Sequence, residues 1–433
     1  MTAYWAAHAW LPGGLAADVR VEVADGVIAS VAAGAAARPG DARLPGVVFP
    51  GFADAHSHAF HRALRGRTHD GRGSFWTWRE AMYALADRLT PDTYHQLALA
   101  TYAELALAGV TVVGEFHYLH HGPGGTPYAD PNAMGAALRR AANDAGIRLT
   151  LLDTCYLQGG IDQPLAGVQL RFGDRGADAW AERFAAQRDT PGTRTGTAIH
   201  SVRAVPADAI GTVVAAAAGR PLHVHLSEQP AENEACLTRY GVTPAGLLDH
   251  HGALGPETTA VHATHLTAAD VALLGRRRST ACLCPTTERD LADGIGPARA
   301  LLDAGAPLSL GTDQHAVIDL FEEARALETH ERLRTLERGH FSGAELLAAA
   351  TAHASLGWPD AGRLAPGARA DLVAVRADSV RTAGCDPAQL LMAATAADVD
   401  TVVVDGRVVV ENGRHRLGDV GRLLAAAITP LWA

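Results

Sequence analysis

The sequence predicts an α/β fold: a (β/α)8 TIM-like barrel with a small β-sandwich domain made from both chain ends. Three observations carry that reading. Through the middle of the chain, short apolar runs alternate eight times with helical stretches. The two ends read instead as β-hairpins with two-residue turns. Histidines and acids fall at the ends of the middle runs, where a barrel of this kind holds its chemistry.

At the N-terminal end, VRVEVADGVIASVAAG alternates apolar and polar residues around Asp25-Gly26, as a hairpin does. The first barrel strand is expected over 47–58. The others are expected over 109–119, 148–156, 195–205, 221–227, 259–265, 280–285 and 307–313. The best-marked helix is TPDTYHQLALATYAELALAG. Thr90 is its expected N-cap, Pro91 its first residue and Gly109 its stop. PNAMGAALRRAANDAG, PADAIGTVVAAAAG, TAADVALLGRRR and GPARALLDAG read as further helices. Hairpin signals return in VDTVVVDGRVVVENGRH, with turns at Asp405-Gly406 and Asn412-Gly413, and 420–428 reads as a closing helix. The expected units are a small β domain from 1–47 with 362–416, a barrel over 48–361 and a C-terminal helix over 417–433. A doubly wound open sheet is the structural rival, but no Gly-rich nucleotide loop follows the first strand.

The chain has 433 residues, which suits one large barrel or two domains. Hydrophobic residues make up 48%, so a large core is available. A net charge of −10 argues against nucleic acid as a partner, because that needs a basic face. No apolar run reaches the roughly 18 residues of a membrane span. The start, MTAYWAAHAWLPGG, lacks the basic region and apolar core of a signal peptide. Five scattered cysteines, an odd number with no framework, point to a reducing cytoplasm, and Cys282-x-Cys284 reads as buried packing.

All 37 basic residues are arginines. The absence of lysine excludes a Schiff-base lysine, a P-loop lysine and a carboxylated lysine bridging two metals. Every fixed cationic side chain is a guanidinium, suited to bidentate carboxylate recognition. The 21 histidines are numerous enough to direct attention to a metal site.

Alternate residues of a strand share a face, so His56 and His58 in Asp54-Ala55-His56-Ser57-His58 project together into the barrel. Strand 5 carries His223 and His225, strand 6 ends in Val261-His262-Ala263-Thr264-His265, and strand 8 ends in Gly311-Thr312-Asp313. One His-x-His means little. Its coincidence with histidines on strands 5 and 6 and an aspartate on strand 8 reads as a metal centre. His225 is preferred to His223 because Glu228 follows it at the strand mouth, where a proton carrier is wanted. His95, His250, His251, His330 and His340 read as surface or packing residues.

With these residues, the chain resembles the amidohydrolase superfamily, through PGFADAHSH, HLSE, VHATH, GTD and the terminal LAPGARADLVAV and VVVDGRVVVENGRH. Some members of that superfamily hold two metals on a carboxylated lysine. The lack of lysine here implies one. The spacing of His225 and Glu228 looks like the deaminase branch. HSHAFHRALRG, SFWTWREAMYALADRLTP, GEFHYLHH and HSVRAV are similar to the formimidoylglutamate deiminases of histidine degradation. That resemblance implies substrate recognition by Arg79, Tyr118, His200 and Arg203. His61 stands where that family commonly has Gln. An imidazole cannot copy an amide's paired donor and acceptor.

The resemblance implies Zn2+, one per subunit, on His56, His58, His225 and Asp313, with Fe2+ or Ni2+ as alternatives. His262 and Asp313 are expected to orient the attacking water, and Glu228 to deliver protons to the imino nitrogen. The expected substrate is a small dicarboxylate, N-formimino-L-glutamate, and the expected products are N-formyl-L-glutamate and ammonia. Related enzymes point to a homodimer. The rivals are a one-metal deaminase of nucleobase or S-adenosylhomocysteine type, an imidazolonepropionate hydrolase and a non-catalytic amidohydrolase-like binding protein.

Overall fold

The computed structural model describes residues 2–69 and 73–433. Its strands are β1 (Thr2–Leu11), β2 (Gly14–Ala24), β3 (Val27–Ala32), β4 (Ala42–Pro50), β5 (Phe52–Ser57), β6 (Val110–His117), β7 (Arg148–Cys155) and β8 (Thr193–Ile199). They continue with β9 (Leu222–Leu226), β10 (Thr258–His262), β11 (Thr280–Leu283), β12 (Leu308–Leu310), β13 (Leu372–Val375), β14 (Val399–Val404), β15 (Arg407–Glu411) and β16 (Arg414–His415).

Strands β5 to β12 lie side by side in chain order, and every neighbouring pair is parallel. The first and last of them meet. Ser57 bridges Asp313, the His58 N–H donates to the Asp313 carbonyl at 3.0 Å, and the Asp313 N–H donates to the His56 carbonyl at 2.9 Å. The sheet is therefore a nearly closed barrel, joined at a seam made by the residues expected to hold the metal. Buried apolar strands with helices between them are what a parallel sheet requires. The helix Pro91–Leu107 opens with Thr90 accepting the Thr93 N–H and stops before Gly109, whose φ is +90°.

Two expected strands differ from those observed. The run 47–58 is two strands: β4 pairs with β1 and β13 outside the barrel, and β5 opens the barrel. The break falls at Gly51, where a Cβ would lie 2.4 Å from Thr111 Oγ1 and 2.8 Å from Asp371 Cβ. The two sheets approach too closely there for a side chain. The run 195–205 ends as a strand at Ile199. Residues 200–205 turn over the barrel mouth, with Ala204 and Val205 both donating to the Ser201 carbonyl.

The chain ends build the second sheet, in the order β16-β15-β14-β13-β4-β1-β2-β3. Its three predicted turns are present. Asp25 and Gly26, Asp405 and Gly406, and Asn412 and Gly413 all have positive φ, as tight hairpins with the right-handed twist require. The sheet curls until separate hairpins meet. Ala370 donates to the Gly26 carbonyl and Gly406 to the Ala370 carbonyl, both at 2.9 Å. A side chain at Gly26 would press on the Asp405 carbonyl at 3.0 Å.

Arg148 of β7 ties the two sheets together. Its buried guanidinium pairs with Asp371 and reaches Asp405 at 2.9 Å, lying over the Trp358 ring. Phe52 and Phe321 meet edge to face at 5.1 Å in the same region. The helix Val420–Ile428 packs Val420 and Leu424 on Ala100 and Ala103 of the helix Pro91–Leu107. Ala55, Val261, Cys282 and Cys284 form a small buried cluster among β5, β10 and β11. No helix among the described residues is long and apolar enough to cross a membrane.

Candidate active site

The seam between β5 and β12 brings His56, His58 and Asp313 together. His56 Nε2 and His58 Nε2 lie 3.3 and 3.4 Å from the same Asp313 oxygen. His225, from β9, places its Nε2 3.1 Å from His56 Nε2. All four side chains are buried. His58 Nδ1 donates to the Phe116 carbonyl at 2.9 Å. A carbonyl only accepts, so the neutral ring carries its proton on Nδ1. The bare Nε2 then faces a carboxylate oxygen, and two acceptors point at one another. His56, His58 and Asp313 form one group that could hold a metal ion, and His56 and His225 form a second with His262, so the donor chemistry fits a divalent cation.

The electrostatics agree with that donor chemistry. Burial pushes His58 down to about 3, and it also lowers His56 and His225. Neutral imidazoles are the form that ligates. Burial alone would raise Asp313, but His56, His262 and His58 hold it well below the carboxylate range. His223, which shares a strand face with His225, places its Nε2 3.1 Å from the Ser355 carbonyl. It takes no part in the cluster.

His262 and Glu228 stand beside this group. His262 Nε2 is 3.7 Å from Glu228 Oε1 and 3.9 Å from Asp313 Oδ2. Its Nδ1 is 3.5 Å from Glu288 Oε1. Burial pulls His262 down, but Glu228, Glu288 and Asp313 together hold it well above its ordinary value. Burial raises Glu228, while His262 and Arg203 pull it back. Ser227, His262, Asp313 and His315 all have positive φ, between 45° and 66°. For residues with a Cβ such backbone costs roughly 1–3 kcal/mol each, and it gathers where side chains must be aimed.

A cavity opens over the group. His61, Arg79, Tyr118, His200 and Arg203 all line it, together with His58, His225, Glu228, His262 and Asp313. His56 sits deeper and does not line it. His61 Nε2 lies 3.0 Å from Tyr118 Oη, and Tyr118 packs against His58 and His200. Arg79 is half-buried, with its guanidinium 5.1 Å from both the Trp76 and Tyr83 rings. Arg203 Nε donates to Glu232 at 2.6 Å.

Sequence reasoning missed three features. Phe75, Trp78, Tyr83, Tyr156 and Phe172 line the cavity with aromatic surface. Phe75, Trp78 and Tyr83 share the helix Phe75–Asp87, whereas Tyr156 and Phe172 come from separate stretches that nothing local marks as their neighbours. Glu232 and Glu288 stand behind Arg203 and His262. Their signal is weak: each follows a strand end by a few residues. Asp54 accepts both the Thr312 N–H, at 2.9 Å, and the Thr312 hydroxyl, at 2.6 Å, which fastens the seam beneath the cluster. Here the signal was adjacency to His56 and Asp313.

The chain matches the model of the amidohydrolase family over residues 47–409. Residues 1–44 match the N-terminal domain of formimidoylglutamate deiminase HutF. The chain is 40% identical to a formimidoylglutamate deiminase of Pseudomonas aeruginosa, over 96% of each chain. Among solved structures it is similar to an amidohydrolase from Brucella melitensis, with a TM-score of 0.93, 34% identity and full coverage of both chains. An adenosine deaminase from Xanthomonas campestris, solved with bound zinc, shares the fold at a TM-score of 0.85 and 24% identity, over 99% of this chain and 97% of that one.

Proposed function

The chain belongs to the amidohydrolase family, and from that membership we propose a metal-dependent hydrolase that converts N-formimino-L-glutamate to N-formyl-L-glutamate and ammonia. One observation carries the substrate. Two arginines, Arg79 and Arg203, line the same cavity as the His–Asp cluster and Glu228. A dicarboxylate needs guanidinium partners and the cationic formimino end needs a carboxylate. The 40% identity with the Pseudomonas enzyme supports the same assignment.

His56, His58, His225 and Asp313 would hold the metal, and their nitrogen-rich set favours zinc, one per subunit. Such an ion lowers the pKa of water toward about 7 and so supplies a nucleophile at neutral pH. His262 and Asp313 orient the attacking water, and Asp313, the ionised member of the pair, takes its proton. Glu228 hydrogen-bonds the imino nitrogen and hands it protons as the C–N bond breaks and ammonia departs. Arg79, Arg203, His200 and Tyr118 grip the carboxylates, and His61 sets the orientation of the Tyr118 hydroxyl.

The aromatic lining favours a second reading, a deaminase of nucleobase type, because flat bases stack on such rings. The two cavity arginines weigh against it. An ammonia-release assay on formiminoglutamate, formiminoaspartate and nucleobases decides between the two. Release from formiminoglutamate is expected, and release from nucleobases alone would reverse the order.

The same reading takes in the remaining expectations. The curled second sheet is read as a two-layered sandwich, supported by one buried cluster shared by Tyr4, Val21, Leu44, Leu372 and Val403. Residues 1–47 with 362–416 form that unit, 48–361 the barrel and 417–433 the closing helix. A cytoplasmic homodimer acting in histidine degradation completes the proposal. The free, mostly buried cysteines support the compartment, and the resemblance supports the dimer.

A further inference from the structure

We infer that Glu232 is a positioning residue whose carboxylate keeps Arg203 from closing onto Glu228, an inference that rests on the reading of Glu228 as proton carrier. Glu232 is the third residue of the helix Pro230–Tyr240 and is buried. Its Oε1 accepts the Ser227 N–H at 2.9 Å. Its Oε2 accepts the Arg203 Nε–H at 2.6 Å. Nη2, which shares an edge of the guanidinium with that Nε–H, stands 3.7 Å from Glu228 Oε2, which is beyond hydrogen-bond reach. Arg203 therefore lies between two carboxylates and is bonded to the one with no chemical duty.

The two bonds of Glu232 serve one end. Ser227 precedes Glu228 in the chain and has a φ of 51°, a strained conformation that needs an external hold. The bond from Ser227 supplies it. The bond from Arg203 fixes the guanidinium edge-on, with its Nη groups free along the cavity wall. In a buried site, a guanidinium and a carboxylate attract strongly and prefer two parallel hydrogen bonds. Released from Glu232, Arg203 has only a short distance to travel before it pairs in that way with Glu228. The pairing would occupy the oxygens that carry protons and withdraw Arg203 from the substrate carboxylate.

The test compares Glu232→Gln with Glu232→Gln/Arg203→Met, measuring kcat and KM on formiminoglutamate with metal content and thermal melting as controls. The glutamine oxygen can still accept the Ser227 N–H, but its NH2 opposes the Arg203 N–H. The single variant should lose kcat by at least about 10-fold with its metal retained. The double variant removes both charges together and leaves neither buried alone. It should recover kcat by at least about 5-fold over the single variant, with KM still high. A double variant as slow as E232Q, or an E232Q with wild-type kcat, overturns the inference. Turnover by the unaltered chain is the reference. If that chain releases no ammonia from formiminoglutamate, the functional reading fails instead.

Discussion

His58 Nδ1 lies 2.9 Å from the Phe116 carbonyl, and that contact decides which imidazole nitrogen faces Asp313. The carbonyl belongs to β6, the neighbour of β5 in the barrel. One strand thus sets the tautomer of an imidazole carried just beyond the end of the next. Replacing His58 with Ala should reduce metal affinity by more than the roughly 10–100-fold that losing an outer partner costs. Metal analysis after dialysis checks this, and full occupancy in the variant would remove His58 from the ligand set.

Glu228 is expected to act on protons rather than on the metal. Its carboxylate faces His262 at 3.7 Å and is not among the clustered ligand atoms. Glu228→Gln should lower kcat by about 10²–10⁴ with metal content unchanged. Near wild-type turnover would show that another group carries the protons.

Arg79 rests against Trp76 and Tyr83, so its removal should leave the fold in place. A hydrogen bond to a charged group contributes about 1.5–3 kcal/mol. Arg79→Met should therefore lower kcat/KM on formiminoglutamate by about 10–100-fold, chiefly through KM. Steady-state kinetics give the split.

His353 and His120 are buried and neutral, and burial pushes each down to about 4. In the unfolded chain such a group takes its proton near 6.5. Between those values the unfolded state binds more protons, so stability falls as pH drops through that window and is fully present above it. Each group contributes on the order of 3 kcal/mol at most. Urea midpoints at pH 7, 6 and 5 should fall in that order, and His353→Asn should flatten the trend.

Arg148 answers two acids, Asp371 and Asp405, at the junction of the two sheets. Arg148→Met leaves Asp371 buried without its partner. Breaking a buried pair in this way costs about 3–5 kcal/mol. Thermal melting should drop by several degrees with no change in the KM of the surviving enzyme.

Much of the fold was legible in the sequence. The eight barrel strands and the closing helix at 420–428 follow from apolar periodicity, and the three hairpin turns follow from Asp-Gly and Asn-Gly pairs. Both signals are local. The division of 47–58 had only a local hint, the Pro50-Gly51 pair. The approach of Thr111 and Asp371 to Gly51 is what makes it two strands.

The site divides along the same line. Sequence spacing by itself determined that His56 and His58 share a face, that histidines and an aspartate recur at strand ends, and that no lysine is available to bridge two metals. The preference for His225 over His223 was also legible, from Glu228 three residues on, and tertiary structure added the reason that His223 turns to the Ser355 carbonyl. It also decided that Arg203 leans on Glu232 and that Tyr156 and Phe172 join Phe75, Trp78, Tyr83 and Tyr118 along the cavity. A repeat of two residues determines a face. Which groups meet across a barrel depends on closure of the β5–β12 seam, which brings together residues more than two hundred and fifty positions apart.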